Sequence, residues 1–155
     1  MEFRKAGRKD VPSILTLIQD TIRTVYPRYY LPGIVDYFLD WHSRERVAAA
    51  VEAGQVEVLL DGGRLVGTGS REGNYIGRLF VLPECQGRGW GSLILARLEA
   101  EAAKEKHTAV WLSASLPAVC LYDRRGYRTV EHRREETKDG SMLVWDVMEK
   151  QLREE

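Results

Sequence analysis

The sharpest chemical signal in the chain is Val81-Leu82-Pro83-Glu84-Cys85-Gln86-Gly87-Arg88-Gly89-Trp90-Gly91, where a strand-like segment gives way to glycines and at once to a helical one. Glycine lets the backbone approach a ligand closely, and the first N–H groups of a helix have no partner inside it. Those groups and the helix dipole attract anions, a pyrophosphate among them, and Arg88 adds charge. The same residues also suit a plain tight turn from strand to helix. Two nucleotide chemistries are excluded. No Gly-Lys-Ser/Thr closes the loop, as an ATP or GTP loop requires, and Gly87-x-Gly89-x-Gly91 lacks the third spacing of Gly-x-Gly-x-x-Gly. A dinucleotide fold would also carry its glycines after the first strand.

Other reactive side chains are sparser. Cys85 and Cys120 show no CxxC or Cys/His spacing, so neither zinc nor a disulfide framework is expected, and no metal site is assigned. Cys85 suits a small buried filler. His42, His107 and His132 have no partner visible in sequence and are expected at the surface or at caps. Tyr26, Tyr29, Tyr30, Tyr37, Phe38 and Trp41 make one region aromatic, with Asp36 and Asp40 nearby. Aromatic faces and carboxylates suit a cationic amine, and the same stripe also suits core packing.

The elements that must position these groups read as helices first, then a meander, then a strand-helix-strand crossover. A short strand is expected over 2–6. Asp10 reads as an N-cap, and Val11, Ile14, Leu15, Ile18, Ile22 and Val25 form the apolar stripe of a helix over 11–25. A second helix follows over 34–41 and a third runs from a Ser43 cap to near Gly54. Alternation then sets in: Val56, Val58 and Leu60, a turn at Asp61-Gly62-Gly63, and strands over 64–70 and 74–82. A helix over 90–106 buries Trp90, Ile94, Leu98 and Ala102. A strand over 109–113, a helix over 117–125 and two strands, 128–135 and 142–149, complete a mixed α/β domain around one sheet.

Composition bounds the rest. At 155 residues, 44% apolar and 30% charged, the chain is expected to form a single domain spanning 1–155. Lys plus Arg equals Asp plus Glu at 23 each, so no global basic field points to nucleic acid. No apolar run approaches the ~20 residues that span a bilayer, and Met1-Glu2-Phe3-Arg4-Lys5 lacks the apolar core of a signal peptide. A cytoplasmic protein with no membrane partner is expected, monomeric or homodimeric.

The glycine segment resembles the acetyl-CoA motif of the GNAT superfamily, Gln/Arg-x-x-Gly-x-Gly/Ala, met by Gln86, Gly89 and Gly91, with Val81-x-Pro83 before it and an amphipathic helix after it. About thirty residues on, Ala118-Val119-Cys120-Leu121-Tyr122-Asp123-Arg124-Arg125-Gly126-Tyr127 is similar to that family's second signature, Ala-x-x-Leu-Tyr-x-x-x-Gly-Phe. The resemblance covers nearly the whole chain. It implies a central, mostly antiparallel sheet with a splayed parallel strand pair, helices on both faces, and acetyl-coenzyme A as cofactor.

It also implies roles. The pantetheine arm would pair with Leu79, Phe80 and Val81, and the pyrophosphate would rest on the backbone from Gly87 to Ser92, beside Gln86, Arg88 and Trp90. An N–H near Val81 would stabilise the tetrahedral oxyanion. Tyr122 matches the family's usual acid for the departing thiolate. Relatives often carry a carboxylate base where this chain has Arg78, which leaves Glu72, or a water chain through Tyr75, as substitute bases. Ser115 stands where relatives often have Asn, and Arg125, with Arg124, would reach the 3′-phosphate. The acceptor, an amine-bearing small molecule or a peptide, would lie between the amino-terminal helices and the last two strands, near Tyr26, Tyr29 and Tyr30. The implied activity is direct N-acetylation in a ternary complex. The departures at Arg78 and Ser115 also admit a noncatalytic acetyl-CoA-binding module.

Overall fold

The computed structural model describes residues 1–152; the last three residues of the expected domain lie outside the described residues. Among the described residues, five α-helices accompany seven strands. The strands are β1 (Glu2–Lys5), β2 (Val56–Asp61), β3 (Arg64–Glu72), β4 (Tyr75–Val81), β5 (Ala109–Ala114), β6 (Arg128–Glu136) and β7 (Met142–Gln151). The helices are α1 (Val11–Val25), α2 (Pro32–Trp41), α3 (Arg44–Glu52), α4 (Trp90–Lys104) and α5 (Val119–Arg124). They build one sheet in the order β1-β2-β3-β4-β5-β7-β6. Only β4 and β5 run parallel, because the α4 crossover joins them; every other pair is antiparallel.

Side-chain alternation along the strands sorts the core onto two faces. On β2, Val56 and Val58 join the cluster of α1 and α3, whereas Leu59 joins the cluster of α4. On β4, Phe80 turns to the first face, and Ile76 and Val81 to the second. Helices therefore cover both faces. The α1 stripe is as expected for Val11, Ile14, Ile18 and Ile22, joined by Leu17. Helix α4 lies close on β3 because that strand presents glycines. A Cβ at Gly67 would come 2.7 Å from Ile94 Cδ1, and one at Gly69 would come 2.8 Å from Leu98 Cδ1.

Local chemistry explains the element ends. The Ser43 hydroxyl accepts from the Arg46 N–H at 3.3 Å and caps α3. Asp10 does not cap α1. Its backbone is helical (φ −86°, ψ −14°), and its carboxylate accepts instead from the Gly7 N–H at 2.7 Å and from the Arg4 guanidinium at 2.8 and 3.0 Å. That charged partner and the 3-10 turn at Arg8–Asp10 compete with the cap. The expected helix over 117–125 is shorter, because Pro117 falls in a 3-10 turn, Leu116–Ala118, ahead of α5.

Candidate active site

A cleft of about 1100 Å³ opens where β4 and β5 part. The two strands share one register pair, Tyr75 with Trp111. The Trp111 N–H donates to the Asn74 carbonyl at 3.0 Å, and Asn74 Nδ2 donates to the Ala109 carbonyl at 3.2 Å. Beyond that clamp their carboxyl ends diverge. A bulge in β4 accompanies the divergence: Thr68 pairs with Phe80 and Ser70 with Gly77, so Arg78 and Leu79 together face Gly69. Arg78 takes a left-handed φ of 46°, a conformation that costs a non-glycine residue roughly 1–2 kcal/mol. Bulges re-aim side chains, and Arg78 lines the cleft.

One end of the cleft is mostly backbone. After the 3-10 turn Pro83–Cys85, Gln86 Nε2 donates to the Val81 carbonyl at 3.0 Å and ties the loop back to β4. Gly87 and Gly89 have φ values of 82° and 81°, and a Cβ at either would meet nothing within 4 Å. No side chain caps α4, and its Leu93 N–H is bonded to the Gly89 carbonyl at 3.0 Å. The N–H groups of Trp90, Gly91 and Ser92 therefore have no partner within the helix, and these residues line the cleft. Such a cradle fits a pyrophosphate: open glycine faces, free donors and a positive helix end.

Two tyrosines stand where the strands diverge. Tyr122, on α5, is buried yet lines the cleft. Burial pushes its phenol above the ordinary value of 10, so it stays protonated at neutral pH. Tyr26 spans the gap between the strands. Its ring stacks on Phe80 at 6.5 Å, and its hydroxyl lies 3.2 Å from Ser115 Oγ. Burial pushes its pKa up to about 12. The Tyr30 hydroxyl accepts from the Leu116 N–H at 2.7 Å, a second tie between the amino-terminal helices and the β5–α5 connection.

The other end is built from side chains of four segments. Phe38, Trp41 and His42 come from α2 and its end, and Arg78 from the bulge. Glu72 comes from the end of β3, and Trp145 from β7. His42 is only 8% exposed and meets Phe80 edge-on at 5.3 Å. Burial, then Arg78 and Arg46, lower its pKa to about 3, so the imidazole is neutral.

The structure thus brings Leu79, Phe80, Val81, Gln86, Gly87, Gly89, Trp90, Gly91, Ser92, Ser115, Tyr122, Glu72 and Tyr26 to one cleft. Arg88, Arg125, Tyr29 and Tyr30 are not on its wall. Arg88 lies over the Trp90 ring at 5.4 Å, Tyr29 is 50% exposed, and Arg124 rather than Arg125 faces the cleft. His42 is buried in the wall, against the expectation of a surface or cap role. The sequence does not mark Glu135, Leu143 or Trp145, although the resemblance puts the acceptor near their strands. No motif marks them, since alternation alone does not say which strand face meets a cleft.

The acetyltransferase (GNAT) domain model matches residues 28–151. The chain belongs to the GNAT family. No curated protein matches it significantly. Among solved structures, a GCN5-related N-acetyltransferase from Rhodopseudomonas palustris superposes with a TM-score of 0.88 at 23% identity, covering 97% of this chain and 95% of its own. PaiA N-acetyltransferase from Thermoplasma acidophilum, in complex with coenzyme A, gives 0.75 at 16% identity, with 97% and 98% covered. YncA of Salmonella typhimurium, a protein with acetyl-CoA as its cofactor, gives 0.69 at 20% identity, with 100% and 95% covered. These likenesses carry the GNAT fold, with its mostly antiparallel sheet and one parallel pair. Acetyl-CoA is the acyl donor of the family, and the open glycine cradle at α4 fits its phosphates.

Proposed function

We propose that this GNAT protein transfers the acetyl group of acetyl-CoA directly to a primary amine while both are bound. One observation carries the reading: the glycine cradle, the Leu79–Val81 strand end and the protonated Tyr122 open into one cleft whose far end is aromatic and charged. Acetyl-CoA supplies a thioester whose carbonyl an amine attacks, releasing the thiol. The residues Gly87 to Ser92 hold the phosphates through backbone N–H groups. An N–H near Val81 receives the developing oxyanion, on a strand end held by the Gln86 side chain. Tyr122, in its phenol form, gives its proton to the departing thiolate.

The amine must lose its own proton. His42 stands in the wall, but at a pKa of about 3 it is far too weak to take a proton from an ammonium near 10.4. Glu72, exposed in the cleft wall, or water relayed past Tyr75, takes that part. The test is an acceptor screen that follows free thiol release with acetyl-CoA. Acetyl-CoA should also raise the melting temperature well beyond ATP or NAD, because a ligand bound only by the folded state stabilises it. Stabilisation with no acceptor in any class of amine would leave a binding module, and equal shifts with all three nucleotides would sink the cofactor assignment.

A further inference from the structure

Arg78 is an unusual residue for its place. Its guanidinium is partly withdrawn from water, and burial lowers its pKa. Among the described residues its Nε is buried with no hydrogen-bond partner, and none of the ion pairs includes it. The bulge that aims it into the cleft holds its backbone at a φ of 46°. Beside it, the buried His42 Nδ1 also has no partner. A half-buried cation and a buried ring nitrogen left unmatched together are costly, and each is satisfied by an acceptor oxygen. Arg46, stacked over Trp41 at 4.4 Å, adds a second positive charge nearby.

The rest of that end carries the opposite sign. Glu72 and Glu135 line the same cleft and are exposed; Glu135 lies at Tyr37, and the charge of Glu72 reaches Arg78 without forming an ion pair with it. A wall that holds an unpaired, withdrawn guanidinium and carboxylates besides matches a ligand that bears both charges. It does not match a simple amine, which would leave Arg78 unanswered. Nor does it match a phosphate dianion, which the glutamates would repel.

Resting on the acetyltransferase reading, we infer that the acceptor is an amine that also carries a carboxylate, as a free amino acid does, and that Arg78 and His42 bind that carboxylate. The guanidinium donates to the carboxylate oxygens, and neutral His42, with its proton on Nδ1, donates one more bond. Arg78 is then a specificity residue, and the strained bulge is the device that presents it. The position opposite the thioester is left to the amine.

The test is calorimetric binding of the twenty L-amino acids and of their carboxamides to the protein saturated with coenzyme A, with thiol release from acetyl-CoA measured in parallel. At least one free acid should bind ~10–100-fold more tightly than its amide, the usual weight of hydrogen bonds to a charged group. Arg78→Gln should erase that preference, and Arg78→Lys should restore part of it. Turnover of that acid by Arg78→Gln should fall through KM rather than kcat. If Arg78→Gln is poorly folded, Arg78→Asn, which tolerates the left-handed backbone, replaces it. No acid preferred over its amide, or a preference that survives loss of the guanidinium, overturns the inference. Amides turned over as well as acids would leave the acetyltransferase intact and remove only the carboxylate. Absence of any stabilisation by acetyl-CoA would remove the acetyltransferase reading itself.

Discussion

The two ends of the cleft are made of different material. The end at α4 is contiguous chain, Val81 to Ser92, and it offers backbone: glycines with open faces and N–H groups that the helix cannot use. The end at α2 is assembled from side chains of residues scattered from Phe38 to Trp145, and what it offers is charge and aromatic surface. A backbone cradle is specified by where glycine stands, so it tolerates wide variation elsewhere. A side-chain wall depends on each tertiary neighbour. The first suits a ligand shared by a family and the second a ligand particular to one protein.

Substitutions at the two ends should therefore fail differently. The largest effect on cofactor affinity is expected of Gly89→Glu. It places a charge at the helix start and forces a left-handed φ of 81° on a residue with a Cβ. Affinity for acetyl-CoA should fall by ~10²-fold or more, the loss of one or two charge-assisted hydrogen bonds, with the circular dichroism intact. Calorimetry that finds unchanged affinity would place the phosphates elsewhere.

Tyr122→Phe comes next and separates chemistry from binding. It keeps the ring and removes only the acid, so kcat should fall ~10²–10⁴-fold while the Kd for acetyl-CoA holds. Single-turnover rates with a confirmed acceptor keep a slow product step from masking the loss. A chemical step that survives within a factor of ~2, too small for a lost general acid, makes Tyr122 a packing residue.

At the side-chain end, His42 links the wall to stability. Its folded pKa is about 3 against an ordinary 6.5, so between those values the unfolded chain binds a proton that the folded chain refuses. The contribution is full above pH 6.5 and is lost as pH falls toward 3, by up to ~1.4 kcal/mol per pH unit. His42→Phe should flatten this acid limb in denaturant titrations. Asp10, whose carboxyl Arg4 and Gly7 hold below the usual range, adds the same slope to both proteins at lower pH and cancels in the comparison. Parallel limbs would mean that the imidazole protonates inside the fold.

The smallest effect belongs to the tie between the ends. Tyr26→Phe removes the hydroxyl 3.2 Å from Ser115 and leaves the stacking on Phe80. It should cost about 1 kcal/mol of stability, with a modest rise in the KM for acetyl-CoA. A KM unchanged beside a lower melting temperature would reduce the bond to a structural one.

The legibility of each end follows from the same contrast. The glycine loop, the α1 stripe, the Ser43 cap and the hairpin turn at Gly62-Gly63 were all readable, because each is local and rests on spacing or on a backbone that few residues accept. Asp10 reads as a cap in sequence, but a tertiary partner, Arg4, holds its carboxylate. His42 offered no spacing signal, since its partners Phe80 and Arg78 lie far along the chain. In sequence, Arg78 stands out only as a residue that cannot serve as a base.

By itself, then, the sequence determined the helix and strand order, the two core stripes and the glycine cradle, all written in periods of a few residues and in glycine placement. The parting of β4 and β5 is implied by the family resemblance, but only the tertiary structure decided that a single register pair precedes it. It alone set the bulge that turns Arg78 inward and buried His42 beside it. Those outcomes depend on which strands become neighbours and how one slips against another, and no period in the sequence encodes the register of a partner that lies tens of residues away.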